Sequence, residues 1–242
     1  MLISIEGNIG SGKSTFFNYI KKHLESPDII FLGEPVEIWE SIKDADGNLL
    51  EHFYNDPYKY SYCFQMTAYI SRLVLLKNAL KLLKPGGVII TERCVFSDFN
   101  VFAKMLFESG KINKIEYDCY KMWFDYFLED IPRPVFIYLR ASPNTCYNRV
   151  ISRARESEIG ISLDYLMECE QYHDNWLVPN GEPDDNWLML KSNVTVLDGN
   201  KDIDHHSSYL NVIKKIIHNP QAKNLKRKIT FLGSSIDNLN VN

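Results

Sequence analysis

Five cysteines among 242 residues, Cys63, Cys94, Cys119, Cys146 and Cys169, are too few and too scattered to build much. None stands in a C-x-x-C pair, and an odd, uneven set argues against a disulfide framework or a structural zinc site. They read as reduced packing residues of a protein in a reducing, cytoplasmic compartment. Long apolar runs are missing too. No stretch approaches the roughly 20 residues that cross a bilayer, so a membrane partner is not expected. The first strand signal begins at Leu2, so no signal or transit peptide is expected before it. Excess positive charge is absent: 31 acidic against 27 basic residues leave a net charge of −4. With no basic, aromatic-studded face either, a nucleic-acid partner is not expected. Internal repeats and low-complexity tracts are lacking as well.

What is present is an ordinary globular composition, 45% hydrophobic and 24% charged, in a length that suits one core. Five short β-branched runs recur: LISIE from Leu2, IIFLG from Ile29, VIITE from Val88, PVFIYL from Pro134 and VTVLD from Val194. They do not alternate, as expected of parallel strands covered on both faces. Helical spacing fills the gaps. Phe16, Ile20 and Leu24 fall four apart, and Ile70, Leu73, Val74, Ala79, Leu80 and Leu83 mark a longer helix that Lys84-Pro85-Gly86-Gly87 should stop. Ser142-Pro143 is an N-cap and first-turn pair. Strands alternating with helices predict an α/β fold on a parallel sheet. The domain is expected over residues 1–218. Residues 219–242, with Lys223, Lys226, Arg227 and Lys228, read as an appended, solvated polar tail.

Gly7-Asn8-Ile9-Gly10-Ser11-Gly12-Lys13-Ser14-Thr15 fits the phosphate-loop pattern G-x4-G-K-[ST] and lies between a buried strand and an amphipathic helix. Glycines free the backbone N–H groups to face phosphate oxygens, Lys13 brings a mobile cation, and Ser14 a hydroxyl for Mg²⁺. These nine residues are expected to bind a nucleoside triphosphate. The expected architecture is therefore a three-layer P-loop sandwich with a five-stranded parallel sheet flanked by helices. Switches, motors and small-molecule kinases all share that loop.

Three further clusters narrow the choice. Glu34 follows the second strand, where it could clamp a sugar, hold a metal or take a proton from a hydroxyl. The third strand ends in Glu92-Arg93, a carboxylate within reach of a Mg²⁺ shared with Ser14 and a donor fork for a transferring phosphate. Beyond the fourth strand, Arg149 and Arg153 share a helix face while Arg155 does not, so the helix should break there. Three neighbouring arginines repel one another unless an anion sits among them, which ATP phosphates under a lid would provide. With phosphate and metal so served, Glu34 is left as the base for an acceptor hydroxyl.

GNIGSGKST, EPVEIW, YSYCFQMTAYISR, TERCVFSD and RVISRARESEIG, in this order, resemble the deoxynucleoside kinase family from about Met1 to Trp176, with weaker agreement through VTVLDGNKDI. The resemblance implies ATP- and Mg²⁺-dependent phosphorylation of a 2′-deoxynucleoside at its 5′-hydroxyl for nucleotide salvage, by a homodimer formed through packed helices. It implies that Glu34 activates the hydroxyl with help from Arg93, and that Glu92 serves the magnesium site. Tyr54 and Glu158 would grip the sugar 3′-hydroxyl, Arg149 would pack on adenine, and Arg153 and Arg155 would be lid arginines. Gln65 would read the base between Trp39, Phe64 and Phe102. Arg72, seven residues on from Gln65, and Asp98 imply deoxycytidine or purine deoxynucleosides over thymidine, because a charged pair fills the space a thymine methyl needs. Ala154 replaces the usual lid glycine, and Cys94 the usual serine after Glu92-Arg93.

Two other readings compete. A thymidylate-type monophosphate kinase shares the loop, but Glu34 beside the acceptor oxygen would repel an acceptor phosphate. A nucleotide-dependent switch or scaffold is the other, though no clear D-x-x-G pattern is present.

Overall fold

The structure is a computed structural model that describes residues 1–24, 26–155, 158, 160–178, 194–201 and 205–219. The proposed polar tail lies, but for Asn219, outside these residues. Five strands form one parallel sheet: β1 (Leu2–Glu6), β2 (Ile29–Leu32), β3 (Val88–Glu92), β4 (Val135–Arg140) and β5 (Val194–Asp198), in the order β2-β3-β1-β4-β5. All five apolar runs are thus strands. Pro134 stays outside β4, as expected of a residue with no N–H for the ladder.

Helices cover both faces. Ile3 and Ile5 of β1 pack with Phe16, Phe17 and Ile20 of α1 (Lys13–His23) and with Leu210, Ile213 and Ile216 of α10 (His206–His218). On the other face Leu2 and Ile89 meet Tyr69, Leu73 and Leu76 of α4 (Pro57–Leu82) and Tyr120 and Phe124 of α7 (Lys114–Phe127). The prediction of strands covered on both faces holds for β1 and β3, which are buried throughout. It is too strong at the edges, where β2 is half-buried and β5 alternates, because an edge strand has a neighbour on one side only.

Local chemistry sets the helix ends. Asp56 accepts from the Lys59 N–H at the start of α4, with Pro57 in the first turn, and Gly86 takes φ 81° just past its end. Asn48 with Glu51, and Asn113 with Glu116, form capping boxes on α3 (Leu49–Asn55) and α7. Ser142 caps α8 (Pro143–Arg153) through the Thr145 N–H, as its sequence suggests. Two short helices, α2 (Val36–Ser41) and α5 (Val95–Ser97), follow β2 and β3. After α5 the chain makes a π-helical segment, Asp98–Ala103, before α6 (Lys104–Glu108). The last helix to flank the site is α9 (Leu163–Leu177), capped by Ser162. All five cysteines are free thiols, but packing accounts for Cys94, Cys146 and Cys169 alone, since Cys63 is exposed and Cys119 half-buried.

The contrast between α10 and α8 is testable by urea unfolding. Ile213→Ala, at a fully buried position, should cost roughly 2–5 kcal/mol, the usual range for such truncations. Ile151→Ala, on the outer face of α8, should stay within about 0.5 kcal/mol of wild type.

Candidate active site

The carboxyl ends of β1, β2 and β3 converge on a cavity of about 290 Å³, close to the roughly 300 Å³ at which small-molecule sites begin. Every residue nominated from the sequence lines it except Gly7, Asn8 and Ser11. Those three shape the loop from behind. Asn8 donates through Nδ2 to the Leu166 carbonyl at 2.7 Å and accepts from the Ile9 N–H at 2.8 Å, tying the loop to α9. Gly10 has φ 79°, and a Cβ there would stand 2.4 Å from the Cys146 carbonyl oxygen, so the close approach of loop to α8 requires glycine.

Lys13 and Ser14 open α1. Lys13 is buried and donates to the Asn8 carbonyl at 2.6 Å. Burial first, and the Arg93 charge second, lower its pKa to about 8. Ser14 donates to Glu92 Oε1 at 2.6 Å, which sets a hydroxyl and a carboxylate from two elements side by side. Oxygen donors so paired fit a hard divalent cation such as Mg²⁺.

Glu34 sits two residues beyond β2. Its Oε1 accepts from Arg72 Nη2 and lies 3.4 Å from Arg93 Nε. Burial opposes its ionisation, but Arg72, Arg93 and Lys13 outweigh burial and hold the carboxyl below the ordinary range. Glu34 is therefore an anion at neutral pH. The other face of the Arg72 guanidinium donates through Nη1 to Asp98 Oδ1 at 2.5 Å. Burial is the largest influence on Asp98 and raises it to about 7, with Glu34 adding to the rise and Arg72 opposing it.

Arg93 follows β3 with a left-handed backbone, φ 59°, which costs a non-glycine residue about 1–2 kcal/mol. Its N–H bonds the Ile5 carbonyl at 3.0 Å, and its own carbonyl accepts from the Thr91 hydroxyl at 2.7 Å. The guanidinium carbon lies 4.9 Å from the centre of the Phe102 ring.

An aromatic wall closes one side of the cavity. Trp39 meets Phe64 edge-on, donates Nε1–H to Ser71 Oγ at 3.0 Å, and lies under the Arg72 guanidinium. Phe64 in turn stacks on Phe53. Gln65 is buried beside them, and its Oε1 has no hydrogen-bond partner among the described residues. Asp98 Oδ2 is likewise unpartnered among them. Phe53, Val36, Leu50, Ala68 and Tyr165 also line the cavity and were missed on sequence, because single apolar residues carry no signal that separates a wall from a core.

The helix break after Arg153 is real: Ala154 caps α8 at φ 50°, a conformation that glycine adopts more readily. The expected clash of three arginines is relieved from within the chain. Glu158 accepts from Arg153 Nη2 at 2.5 Å and Nε at 3.1 Å, and from Arg155 Nη1 at 3.4 Å. Its carboxylate is thus bound to the arginines. Tyr54 lines the same cavity, and its hydroxyl is pushed up first by burial and then by the Glu158 charge. Arg149 is anchored on carbonyls, through Nη1 to Gly199 at 2.7 Å and to Ser11 at 3.2 Å.

The depressed pKa of Lys13 has a definite sign in stability. Between about pH 8 and 10.5 the native state binds fewer protons than the unfolded chain, so wild type should gain stability as pH rises through that window. Below it, the buried cation opposes folding by an amount on the order of 3 kcal/mol. Nucleotide-free Lys13→Met should therefore be the more stable protein at pH 7, with the gap narrowing by pH 9.5. Denaturant titrations at both pH values check this, and a gap independent of pH would contradict it.

The family model for deoxynucleoside kinases matches residues 3–219. Deoxycytidine kinase 1 of Xenopus laevis is 36% identical over 235 residues, covering 88% of each chain. A probable deoxycytidine kinase of fowlpox virus is 39% identical over 183 residues, 74% of this chain and 73% of its own. The mitochondrial deoxyguanosine kinase of Xenopus laevis is 33% identical over 193 residues, 72% of each. Agreement of this extent displaces the monophosphate kinase and the nucleotide switch. From β1 to the end of α10 the chain belongs to the deoxynucleoside kinase family, and its activity is the ATP-dependent phosphorylation of deoxynucleosides.

Proposed function

We propose that this kinase prefers deoxycytidine or a purine deoxynucleoside to thymidine, and that Glu34 is the base that receives the proton of the 5′-hydroxyl. The observation that carries the reading is the position of Glu34, ionised and held by two arginines, in the same cavity as the phosphate loop. As the hydroxyl oxygen bonds to the γ-phosphorus, its proton passes to Glu34 and the bond from phosphorus to the β–γ bridging oxygen breaks, releasing ADP. Arg93 steadies the hydroxyl and the transferring group. Lys13, Arg153 and Arg155 hold the phosphates, and Arg149 supports the adenine side. Ser14 and Glu92 would hold Mg²⁺, which would offset phosphate charge when bound.

The base sits between Trp39, Phe64 and Phe102, beside Gln65 and Asp98, each of which lines the cavity and has one buried oxygen without a hydrogen-bond partner among the described residues. Amino groups on cytosine or adenine satisfy such acceptors, and a thymine methyl does not. Tyr54 serves the sugar 3′-hydroxyl, joined by Glu158 once it leaves its arginines. Residues 1–218 make up the kinase domain, and 219–242 are an appended tail. The working compartment is the cytoplasm, where five free thiols persist. No described helix is long and apolar enough to cross a membrane. A homodimer forms through the outer faces of α4 and α7, where Val74, Met122, Trp123 and Tyr126 are exposed.

Purified enzyme with Mg-ATP, offered the four deoxynucleosides one at a time, should phosphorylate deoxycytidine or a purine deoxynucleoside ahead of thymidine. Thymidine first would remove the base preference alone. Glu34→Gln should keep nucleotide binding and lose roughly 10²-fold or more in kcat, and near-normal turnover would remove Glu34 from its role. Trp123→Glu should shift the protein to a monomer in sedimentation velocity, against a dimer for wild type.

A further inference from the structure

Arg93 has a partner outside the cavity that no part of the proposed mechanism uses. His173, on α9, is fully buried, and its Nε2 lies 3.3 Å from Arg93 Nη1. Its Nδ1 lies 2.6 Å from the Cys169 carbonyl oxygen. These two neighbours determine where the ring proton is. A carbonyl oxygen only accepts, so Nδ1 carries the hydrogen; a guanidinium only donates, so Nε2 presents its lone pair. A doubly protonated ring would set N–H against N–H and cation against cation. Burial first, and the Arg93 charge second, push the imidazole pKa well below its usual value, in agreement with that neutral tautomer.

The ring cannot easily turn. Tyr138 of β4 lies parallel to it, with centroids 5.9 Å apart and 5° between planes, and Phe102 meets it edge-on at 86°. Tyr138 is held in turn: its hydroxyl donates to Asp174 Oδ1 at 2.8 Å, and Arg140 binds the same carboxylate through Nε and Nη2. A chain of fixed groups therefore runs from β4 and α9 to the guanidinium. On the far side Arg93 presents Nε to Glu34, and neither contact uses Nη2.

We infer that His173 is a positioning residue for phosphoryl transfer, whose Nε2 lone pair fixes the Arg93 guanidinium over Phe102 so that it faces Glu34 and the acceptor hydroxyl. The inference rests on the role proposed for Arg93. A residue that only filled space between β4 and α9 would need the ring's shape and no lone pair at Nε2. A positioning residue needs the acceptor, because without it the guanidinium keeps only its Glu34 ion pair at Nε and the face of Phe102 among the described residues.

Kinetics on His173→Leu, His173→Gln, Arg93→Ala and the double variant that combines His173→Leu with Arg93→Ala test this, with nucleotide binding and thermal unfolding as controls. His173→Leu should lower kcat about tenfold while the ATP KM moves less than about twofold, the mark of lost alignment. His173→Gln, whose amide oxygen can take the place of Nε2, should recover most of the loss. Once Arg93 is replaced by alanine, adding His173→Leu should cost nothing more in kcat. Undiminished kcat in Arg93→Ala would sink the role of Arg93, and this inference with it. An impaired Arg93→Ala beside equal losses in His173→Leu and His173→Gln, or a His173→Leu loss that persists without Arg93, would overturn the inference alone. Should His173→Leu not fold, ¹⁵N spectra of the wild-type imidazole decide. A protonated Nδ1 with a bare Nε2 at pH 7 supports the assignment, and the opposite tautomer overturns it.

Discussion

The guanidinium of Arg72 joins three segments that line the cavity. It comes from the middle of α4, bonds Asp98 at the head of the π-helical segment with one nitrogen, and bonds Glu34 beyond β2 with the other. Arg72 and Asp98 are buried and Glu34 is about one-quarter exposed, and stripping hydration from a charge costs several kcal/mol that only close opposite charge offsets. Three acidic side chains act on the Arg72 charge: Asp98, Glu34 and Glu6. Glu6, fully buried at the end of β1, takes hydrogen bonds from Ser4 and Cys94 and adds to the negative field at Arg72 and Asp98. Lys13 and Arg93 supply the balancing charge. The protonation equilibria respond in opposite directions, with Lys13 lowered and Asp98 raised, because burial is the largest influence on both and favours each neutral form. Glu34 is different. Three cations face it, and they outweigh its partial burial and hold its pKa below the ordinary range.

Strand direction explains how the pieces meet. In a parallel sheet all carboxyl ends share one edge, so the loops after β1, β2 and β3 deliver the phosphate loop, Glu34 and the Glu92-Arg93 pair to one place. The register sets Ile5 level with Glu92, which brings Ser14, at the start of α1, to the Glu92 carboxylate. The π-helical segment contributes by putting Asp98 and Phe102 on the cavity while Phe99 stacks on Phe124 of α7. Such segments recur at functional sites because they re-aim side chains that a regular helix would point elsewhere.

What could be read from the sequence was what is local. The phosphate loop is nine adjacent residues with a fixed mechanism, and the central strands betray themselves by short runs rich in Ile, Val and Leu. Arg72 and Gln65 could be set on one face because helical spacing needs no tertiary knowledge. Three features needed the fold. The bond between Arg93 and His173 joins residues 80 apart, and the left-handed backbone of Arg93 follows from strand-end geometry that an arginine in a sequence does not announce. The engagement of Glu158 with Arg153 and Arg155 depends on how the chain turns after Ala154. The π-helical segment has no composition of its own, and nothing in its residues announces it.

In the proposed mechanism Arg72 also binds recognition to chemistry. Its Nη1 holds Asp98, on the base side of the cavity, and its Nη2 holds Glu34, on the hydroxyl side. On that proposal a base that draws Asp98 into a hydrogen bond alters how strongly Asp98 competes for the guanidinium, which with Arg93 and Lys13 keeps Glu34 anionic. The two carboxylates therefore share one cation, and neither can change its bond to that cation without the other responding. A site with separate partners for Asp98 and Glu34 would let base and hydroxyl be read independently. On that proposal a poorly fitting base would lose its own hydrogen bond and disturb Glu34 as well, so discrimination would fall on the chemical step in addition to binding.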